Sequence, residues 1–496
     1  MKTVLLMLSF CLIGFAATYV SIPFARRFSK KYSILSIPRD ADGRDKPTPL
    51  LGGAAIYLSF ALVSIVFFLM LLKGKYIVTQ TDRLQMLSLF LGATWIMVLG
   101  TLDDKFNLRW KSKLLGQIIG VVILALGGHT IGTATIPFFG PVNFGWWGVP
   151  IFGLAILTIT NAINLIDGID GLAGGICFFA ALVIGILGIS KGDIFSASIG
   201  FTFSGSLLAF LRFNFPPASI YMGDGGSLML GFILGTLATS SVATAPGQRS
   251  GTMAVVLIPV LPFGIALVDV ILSISRRWIS GRKIFLPDMG HLHHRLMDKI
   301  GRPRTVVIIL YIFSALLSAM TLTLVLGPKS RFFTIYVIVS VFVLLMLVAA
   351  LLKLYMSENP LKIIENRFHF RFLNDFIAFM SKRIRRARNT DELFSLLEAG
   401  IRDLDFDTVE VVYKSRTIKK WVNMDKIHPN NPRRRNEKGF NGSGLTIRWA
   451  VPKHYSDAYQ QYLFFVWNRF LEETNAKLLE LQQQESPLPL SANRPE

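Results

Sequence analysis

The chain has 496 residues, 52% of them hydrophobic, with a formal net charge of +21 and a mean hydropathy of +0.50. Apolar runs of span length recur from the first residue to about 354 with short polar loops between them, which excludes a soluble enzyme with a few buried helices. The excess of Lys and Arg gathers in alternate loops and in the tail, so it suits anionic lipid and an anionic substrate rather than nucleic acid.

Lys2 precedes an apolar run to residue 22 that resembles a secretory signal. Arg26, Arg27, Lys30 and Lys31 follow it and no small-x-small pattern ends it, so it reads as a retained first span. The basic loop 24–49 leads into Pro47-Thr48-Pro49-Leu50-Leu51-Gly52-Gly53. There the prolines direct the chain and the Gly pair allows close packing of a second span, to residue 72. A third span covers 84–102 and runs into the polar loop 103–113, which opens with Asp103-Asp104. A fourth covers 114–128. Residues 129–148, rich in Gly, Pro and aromatics, read as interfacial, with a short strand within 133–138.

Span five, 149–163, enters the stretch 161–175, where two Asn, two Asp and four Gly stand between apolar segments. Spans six (172–190) and seven (195–211) meet at Lys191-Gly192-Asp193. Span eight, 228–244, follows Met222-Gly223-Asp224-Gly225-Gly226-Ser227. Span nine, 252–275, is long enough to tilt or break near Pro259 and Pro262. Asp269 lies within it, and the basic loop 276–304 follows. Spans ten (305–326) and eleven (332–354) complete the set. Both cysteines, Cys11 and Cys177, lie in apolar runs and imply no disulfide scaffold.

The loops 24–49, 103–113 and 276–304 carry most of the short-loop Lys and Arg. The positive-inside bias therefore sets the N-terminus outside and the tail in the cytoplasm. Every Asp-rich motif then falls on the cytoplasmic side. The fold class is an all-α polytopic membrane protein of about 11 transmembrane helices with a small C-terminal α+β cytoplasmic domain. Residues 1–354 form the membrane domain, 355–389 a basic juxtamembrane linker with Arg383, Arg385, Arg386 and Arg388, and 390–496 an accessory module. In that module Asn389 and Glu392 have capping-box spacing before a helix over 390–402. Residues 407–413 and 445–451 alternate as strands, 421–444 reads as a loop, and 456–484 as a long helix.

Four clusters share the cytoplasmic side: Asp103-Asp104; Asn164, Asp167 and Asp170; the stretch around Asp224; and His291-Leu292-His293-His294-Arg295. Carboxylates bind hard cations such as Mg²⁺, which bridge phosphate oxygens, while Arg and His⁺ hold the remaining anionic oxygens. Zn²⁺ on the histidines is the lesser alternative, since carboxylate outnumbers imidazole and thiolate. An ion-coupled transporter of an anionic substrate is the rival reading, because intramembrane Asp also binds ions. A transporter, however, needs polar residues across both halves of its spans, and the outer halves are almost wholly apolar. A scaffold would need none of these groups.

These motifs resemble, in order, spacing and side, the bacterial polyprenyl-phosphate N-acetylhexosamine-1-phosphate transferases and, more distantly, the muramoyl-pentapeptide phosphotransferase. The likeness rests on Pro47-Thr48-Pro49 with Gly52-Gly53, Leu102-Asp103-Asp104, the stretch 161–173, Met222-Gly223-Asp224 with Gly226-Ser227, and Pro287-Asp288 with Gly290-His291-Leu292-His293-His294-Arg295-Leu296. It covers about residues 1–350 and not the tail. Leu292 between the histidines is closer to the N-acetylglucosamine branch.

The resemblance implies transfer of an N-acetylhexosamine-1-phosphate from a UDP-sugar to undecaprenyl phosphate at the inner membrane of a bacterium, with release of UMP, in cell-envelope synthesis. Mg²⁺ is the expected cofactor, with Mn²⁺ as an alternative. Asp224, Asp104 and Asp167 are the expected metal ligands. Asp103, Asp104, Asp224, His293 and His294 are the expected catalytic groups. Asn164, Asp167, Asp170, His291, Arg295 and Lys113 are expected to hold the donor. The expected partners are the two substrates and membrane lipid, with the tail as a site for a second copy or for other envelope-synthesis proteins.

Overall fold

The computed structural model describes residues 2–36, 47–72, 80–136, 140–243, 258–279, 296–297, 299–326, 367–402, 404, 408–413, 416–422, 434–440, 443–451 and 457–485. The chain divides into two compact units, one of residues 1–273 with 287–355 and one of 274–286 with 356–496.

The first unit is a helical bundle. Its helices are α1 (Lys2–Lys31), α2 (Gly52–Leu72), α3 (Gln80–Phe106), α4 (Trp110–Leu126), α5 (Gly148–Ile166), α6 (Leu172–Lys191), α7 (Ile194–Asn214), α8 (Gly223–Ala243), α9 (Gly264–Ile279, which runs into the second unit) and α10 (Pro303–Leu326). Among the described residues seven helices are long and apolar enough to cross a membrane: α1, α2, α3, α5, α6, α7 and α10. The protein is thus a polytopic membrane protein. A 3-10 turn, Ile258–Phe263, breaks the ninth apolar run where Pro262 denies it a regular helix. The expected span 332–354 lies outside the described residues. Ahead of α2 a two-residue antiparallel pair joins β1 (Leu35–Ser36) to β2 (Thr48–Pro49), and the interfacial stretch holds a second antiparallel pair, β3 (Thr133–Ile136) with β4 (Gly140–Asn143). Trp146 and Trp147 follow, 96% and 72% exposed, as suits anchors at a membrane–water boundary.

Helix α8 is the bundle's central post, packed against α2, α3, α5 and α6. Small residues let those neighbours approach. A Cβ on Gly226 would stand 2.5 Å from Gly53 Cα, and one on Gly100 would stand 2.5 Å from Gly225 Cα, nearer than side chains tolerate. The segment before α2 is strapped to the segment before α8. Gly52 N donates to Tyr221 O at 2.8 Å, Gly53 N to Met222 O at 2.9 Å, and Tyr221 N to Pro49 O at 2.7 Å. The Pro-Thr-Pro…Gly-Gly motif thereby fixes the start of α8. Gly53→Ala drives its methyl into the backbone of Gly226. We expect a loss of about 2 kcal/mol or more, read as a lower melting temperature in detergent.

Two element ends differ from the hydropathy reading. Asp103 and Asp104 are the last turn of α3 rather than a loop, and α8 starts at Gly223, ahead of residue 228. In both places carboxylates and glycines mask helix that tertiary hydrogen bonds sustain.

The second unit holds α11 (Arg367–Ile384), α12 (Thr390–Arg402), β5 (Thr408–Tyr413), β6 (Arg416–Val422), β7 (Arg434–Phe440), β8 (Leu445–Val451) and α13 (Asp457–Glu485). Its sheet is antiparallel in the order β6-β5-β8-β7. Val409 and Val411 of β5 and Leu445, Ile447 and Trp449 of β8 join the three helices in one apolar core. Asn389 Oδ1 accepts the Glu392 N–H at 2.8 Å, the expected helix cap. The stretch 421–444, expected as a loop, contains β7. This is an edge strand whose Arg434-Arg435-Asn436-Glu437-Lys438 run hides its periodicity.

Candidate active site

Four helix ends meet at one end of the bundle: the last turns of α3 and α5 and the first turns of α4 and α8. Each contributes a polar side chain from an otherwise apolar helix, an expensive placement in a membrane protein. Lys113, on the first turn of α4, is the hub. Its Nζ lies 2.8 Å from Asp103 Oδ2 and 2.5 Å from Asp224 Oδ2, and donates to Asn164 Oδ1 at 3.2 Å. Asn164 in turn donates through Nδ2 to Asp224 Oδ1 at 2.8 Å and to Ser227 Oγ at 2.9 Å. Three stretches that are far apart in the chain, 103–113, Asn164 and 224–227, thus form one hydrogen-bonded cluster.

The two aspartates of α3 have different positions. Asp103 is 8% exposed, and its Oδ1 accepts the Leu108 N–H at 2.8 Å, closing the α3–α4 turn. That turn places Asn107 at φ +48°, a left-handed conformation that Asn tolerates well. Asp104 reaches across to α8 and accepts the N–H of Asp224 at 2.8 Å and of Gly225 at 3.3 Å. It therefore caps α8 from another helix, with its charge at the positive end of the α8 dipole. Gly223 permits this, since it sits at φ +75° with Leu50 O and the Asp104 carboxylate where a Cβ would be. Asp224 is the open member, its side chain 35% exposed against 9% for Asp103 and 18% for Lys113.

The loop between α5 and α6 flanks this cluster. Asp167 is half-buried. Burial first, and then the negative charges of Asp224, Asp104 and Asp170, raise its carboxyl well above the usual carboxylate range. Asp170 accepts the Ala218 N–H at 2.8 Å, tying this loop to the segment before α8. Asn214 makes the same tie, accepting from Gly171 N at 2.9 Å and donating to Ile220 O at 2.8 Å. Tyr311 donates to Gly171 O at 2.6 Å from α10. Behind the cluster Gln117 and Asn161 exchange both amide hydrogen bonds, at 2.7 and 3.2 Å. Asn214, Tyr311 and Gln117 do not stand out in the sequence, and Ser227 does so only as part of the stretch around Asp224. Their only signal is polarity within apolar segments, and their partners lie in other helices or in the loops between them. Asp269 is buried within α9. His291, His293, His294 and Arg295 lie outside the described residues.

The donor set is oxygen-rich and anionic, which suits a hard divalent cation more than a soft one. Asp224 offers a more accessible carboxylate than Asp103. Among the described residues no three acidic or imidazole side chains converge as a ready ligand set, and the Lys113 ammonium supplies the positive charge between Asp103 and Asp224.

Residues 86–242, from α3 to α8, match the glycosyl transferase family 4 model. The chain is similar to a probable undecaprenyl-phosphate N-acetylglucosaminyl 1-phosphate transferase of Bacillus subtilis, 32% identical over 314 residues, 63% of this chain and 83% of the relative. It is also similar to a decaprenyl-phosphate N-acetylglucosaminephosphotransferase of Mycobacterium tuberculosis, 32% identical over 324 residues, 61% of this chain and 79% of the relative. A phospho-N-acetylmuramoyl-pentapeptide-transferase of Heliobacterium modesticaldum is 31% identical over 316 residues, 60% of this chain and 89% of the relative. All three alignments leave over a third of this chain unmatched, whereas the family model falls on the helices whose ends carry Asp103, Lys113, Asn164 and Asp224. The chain belongs to glycosyl transferase family 4, as a homologue of the polyprenyl-phosphate N-acetylhexosamine-1-phosphate transferases.

Proposed function

We propose that the protein transfers an N-acetylhexosamine-1-phosphate from a UDP-sugar to undecaprenyl phosphate at the cytoplasmic face of a bacterial inner membrane, the first lipid-linked step of an envelope polysaccharide. The observation that carries this is the Lys113-centred cluster at one end of a membrane bundle, in a chain of this family. The lipid acceptor stays in the bilayer and the nucleotide donor stays in water, so the two can meet only at a rim. An oxygen of the lipid phosphate attacks the phosphorus that bears the sugar. The P–O bond to UMP breaks, UMP leaves with the electron pair, and the lipid diphosphate remains.

In this reading Asp103 orients the lipid phosphate or takes its proton. Lys113 offsets charge on the transferring phosphoryl group. Asn164 fixes the rotamer of Asp224. Asp104 holds α8 in position and keeps Asp224 aimed at the rim. Asp224, with Asp167 and the outer lone pairs of Asp104, would hold Mg²⁺ or Mn²⁺. A bound divalent ion supplies Lewis-acid neutralisation of the phosphate oxygens. Asp170 shapes the donor pocket through its tie to Ala218, and the histidines and Arg295 are assigned to the donor phosphates. The positive loops support eleven spans with the N-terminus outside and an α+β tail in the cytoplasm.

Purified protein with undecaprenyl phosphate, Mg²⁺ and a panel of nucleotide sugars tests the reaction. Lipid-diphospho-sugar and UMP in equal amounts are the expected products, and the sugar that converts well names the substrate. Folded protein that forms no lipid product from any donor would overturn the proposal and favour a transporter.

The tail is taken as accessory, a site for a second copy or for other envelope-synthesis proteins. Removing 367–496 should leave membrane insertion and basal transfer intact. Cutting at 390 instead strips cover from Leu373, Ile377, Met380 and Ile384, which are buried in the second core, and should lower the yield of folded protein. Expression level and specific activity of the two truncations separate these outcomes.

A further inference from the structure

Helix α11 carries two apolar stripes. Leu373, Ile377, Met380 and Ile384 are buried in the core of the second unit. Phe372, Phe376, Phe379 and Arg383 recur at the same helical spacing, turned about 100° from the first set. Phe372 and Phe379 of this second stripe face outward, 54% and 57% exposed, while Phe376 between them is partly buried against the core. Phe372 and Phe376 stack at 5.5 Å. The Arg383 guanidinium lies 5.8 Å from the centre of the Phe379 ring. Lys382, Arg383, Arg385, Arg386 and Arg388 are all exposed, with Arg385 3.3 Å from Glu473.

Aromatic rings flowing into a cluster of cations match the layering of a bilayer surface, where rings settle at headgroup depth and cations meet lipid phosphate. The chain also delivers the helix there. Only the twelve residues 355–366 separate it from the apolar run 332–354, a reach of at most about 40 Å. A second copy laid over the same stripe would instead bring two arginine clusters under one interface, which costs desolvation with little compensating carboxylate.

We propose that the Phe372–Phe379–Arg383 face of α11 docks on the anionic lipid of the adjacent leaflet and holds the tail module against the membrane surface. The proposal rests on 332–354 being a span and not on the transfer reaction. The test uses full-length protein in nanodiscs of phosphatidylcholine alone or mixed with phosphatidylglycerol, read by amide hydrogen exchange over 367–384. Exchange there should be about tenfold slower with the anionic lipid. A Phe379→Trp variant should be quenched by brominated acyl chains. Arg383→Glu with Arg386→Glu should erase the lipid dependence while Thr408–Tyr413 and Leu445–Val451 stay protected, which shows that the module is still folded. Equal exchange in both lipids with no quenching overturns the proposal. Protection that appears only when two copies share a disc also overturns it, and assigns the face to self-association.

Discussion

Asp224→Asn is expected to lower turnover by about 10³-fold or more while the protein keeps its fold. The substitution preserves shape. The cap that starts α8 uses the backbone N–H of Asp224 and Gly225, not the Asp224 side chain, so Asp104 continues to hold the helix. What changes is charge at a carboxylate whose side chain is 35% exposed. A neutral amide binds a divalent cation more weakly, and its NH₂ group would face either Lys113 or the Asn164 amide, both donors toward that carboxylate. The melting temperature should therefore move little while the rate collapses, and raising Mg²⁺ should recover part of the rate. A variant turning over within about tenfold of the parent would remove Asp224 from the reacting centre.

The helices were legible because hydrocarbon runs of span length have few alternatives. Their polar ends were not. Helix α3 continues through Asp103-Asp104-Lys105, which average hydropathy cuts away, and α8 begins with Gly-Asp-Gly-Gly, a sequence that locally reads as a turn. Only the Asp104 cap, given by a residue 120 positions earlier, makes that start helical. Strand β7 was hidden for a related reason. As an edge strand it has one ladder partner, β8, and its Lys438 faces Glu472 rather than an apolar neighbour, so no alternating pattern marks it. At the site, Asp103, Asp104, Asn164 and Asp224 stood out as charge or amide beside hydrocarbon. The way they connect did not, since it is set by which helix ends meet. Asn214 and Tyr311 show the limit, because each serves the loop at Gly171 from more than 40 residues away.

Lys113→Met should be nearly as damaging to the rate as the Asp224 change, and it should also cost stability. The ammonium stands between Asp103 and Asp224 and touches Asn164. Methionine fills similar space, so the packing of α4 should survive. Two carboxylates then face one another without a cation between them. Breaking a buried pair costs several kcal/mol. Because Asp224 is partly open to solvent, a loss of about 2–3 kcal/mol is expected. If Asp103 and Asp224 can gather a divalent ion, Mg²⁺ should raise the melting temperature of the variant more than that of the parent, a readout independent of activity. Turnover should still fall about 10²-fold or more, because a metal ion that replaces the lysine is no longer placed to serve both phosphates. Lys113→Arg separates charge from geometry. It keeps the positive charge, but a planar fork cannot set one nitrogen among three oxygens. Stability should then recover more than rate. Equal recovery of both would make Lys113 a charge balance only, and an unimpaired methionine variant would take it out of the mechanism altogether.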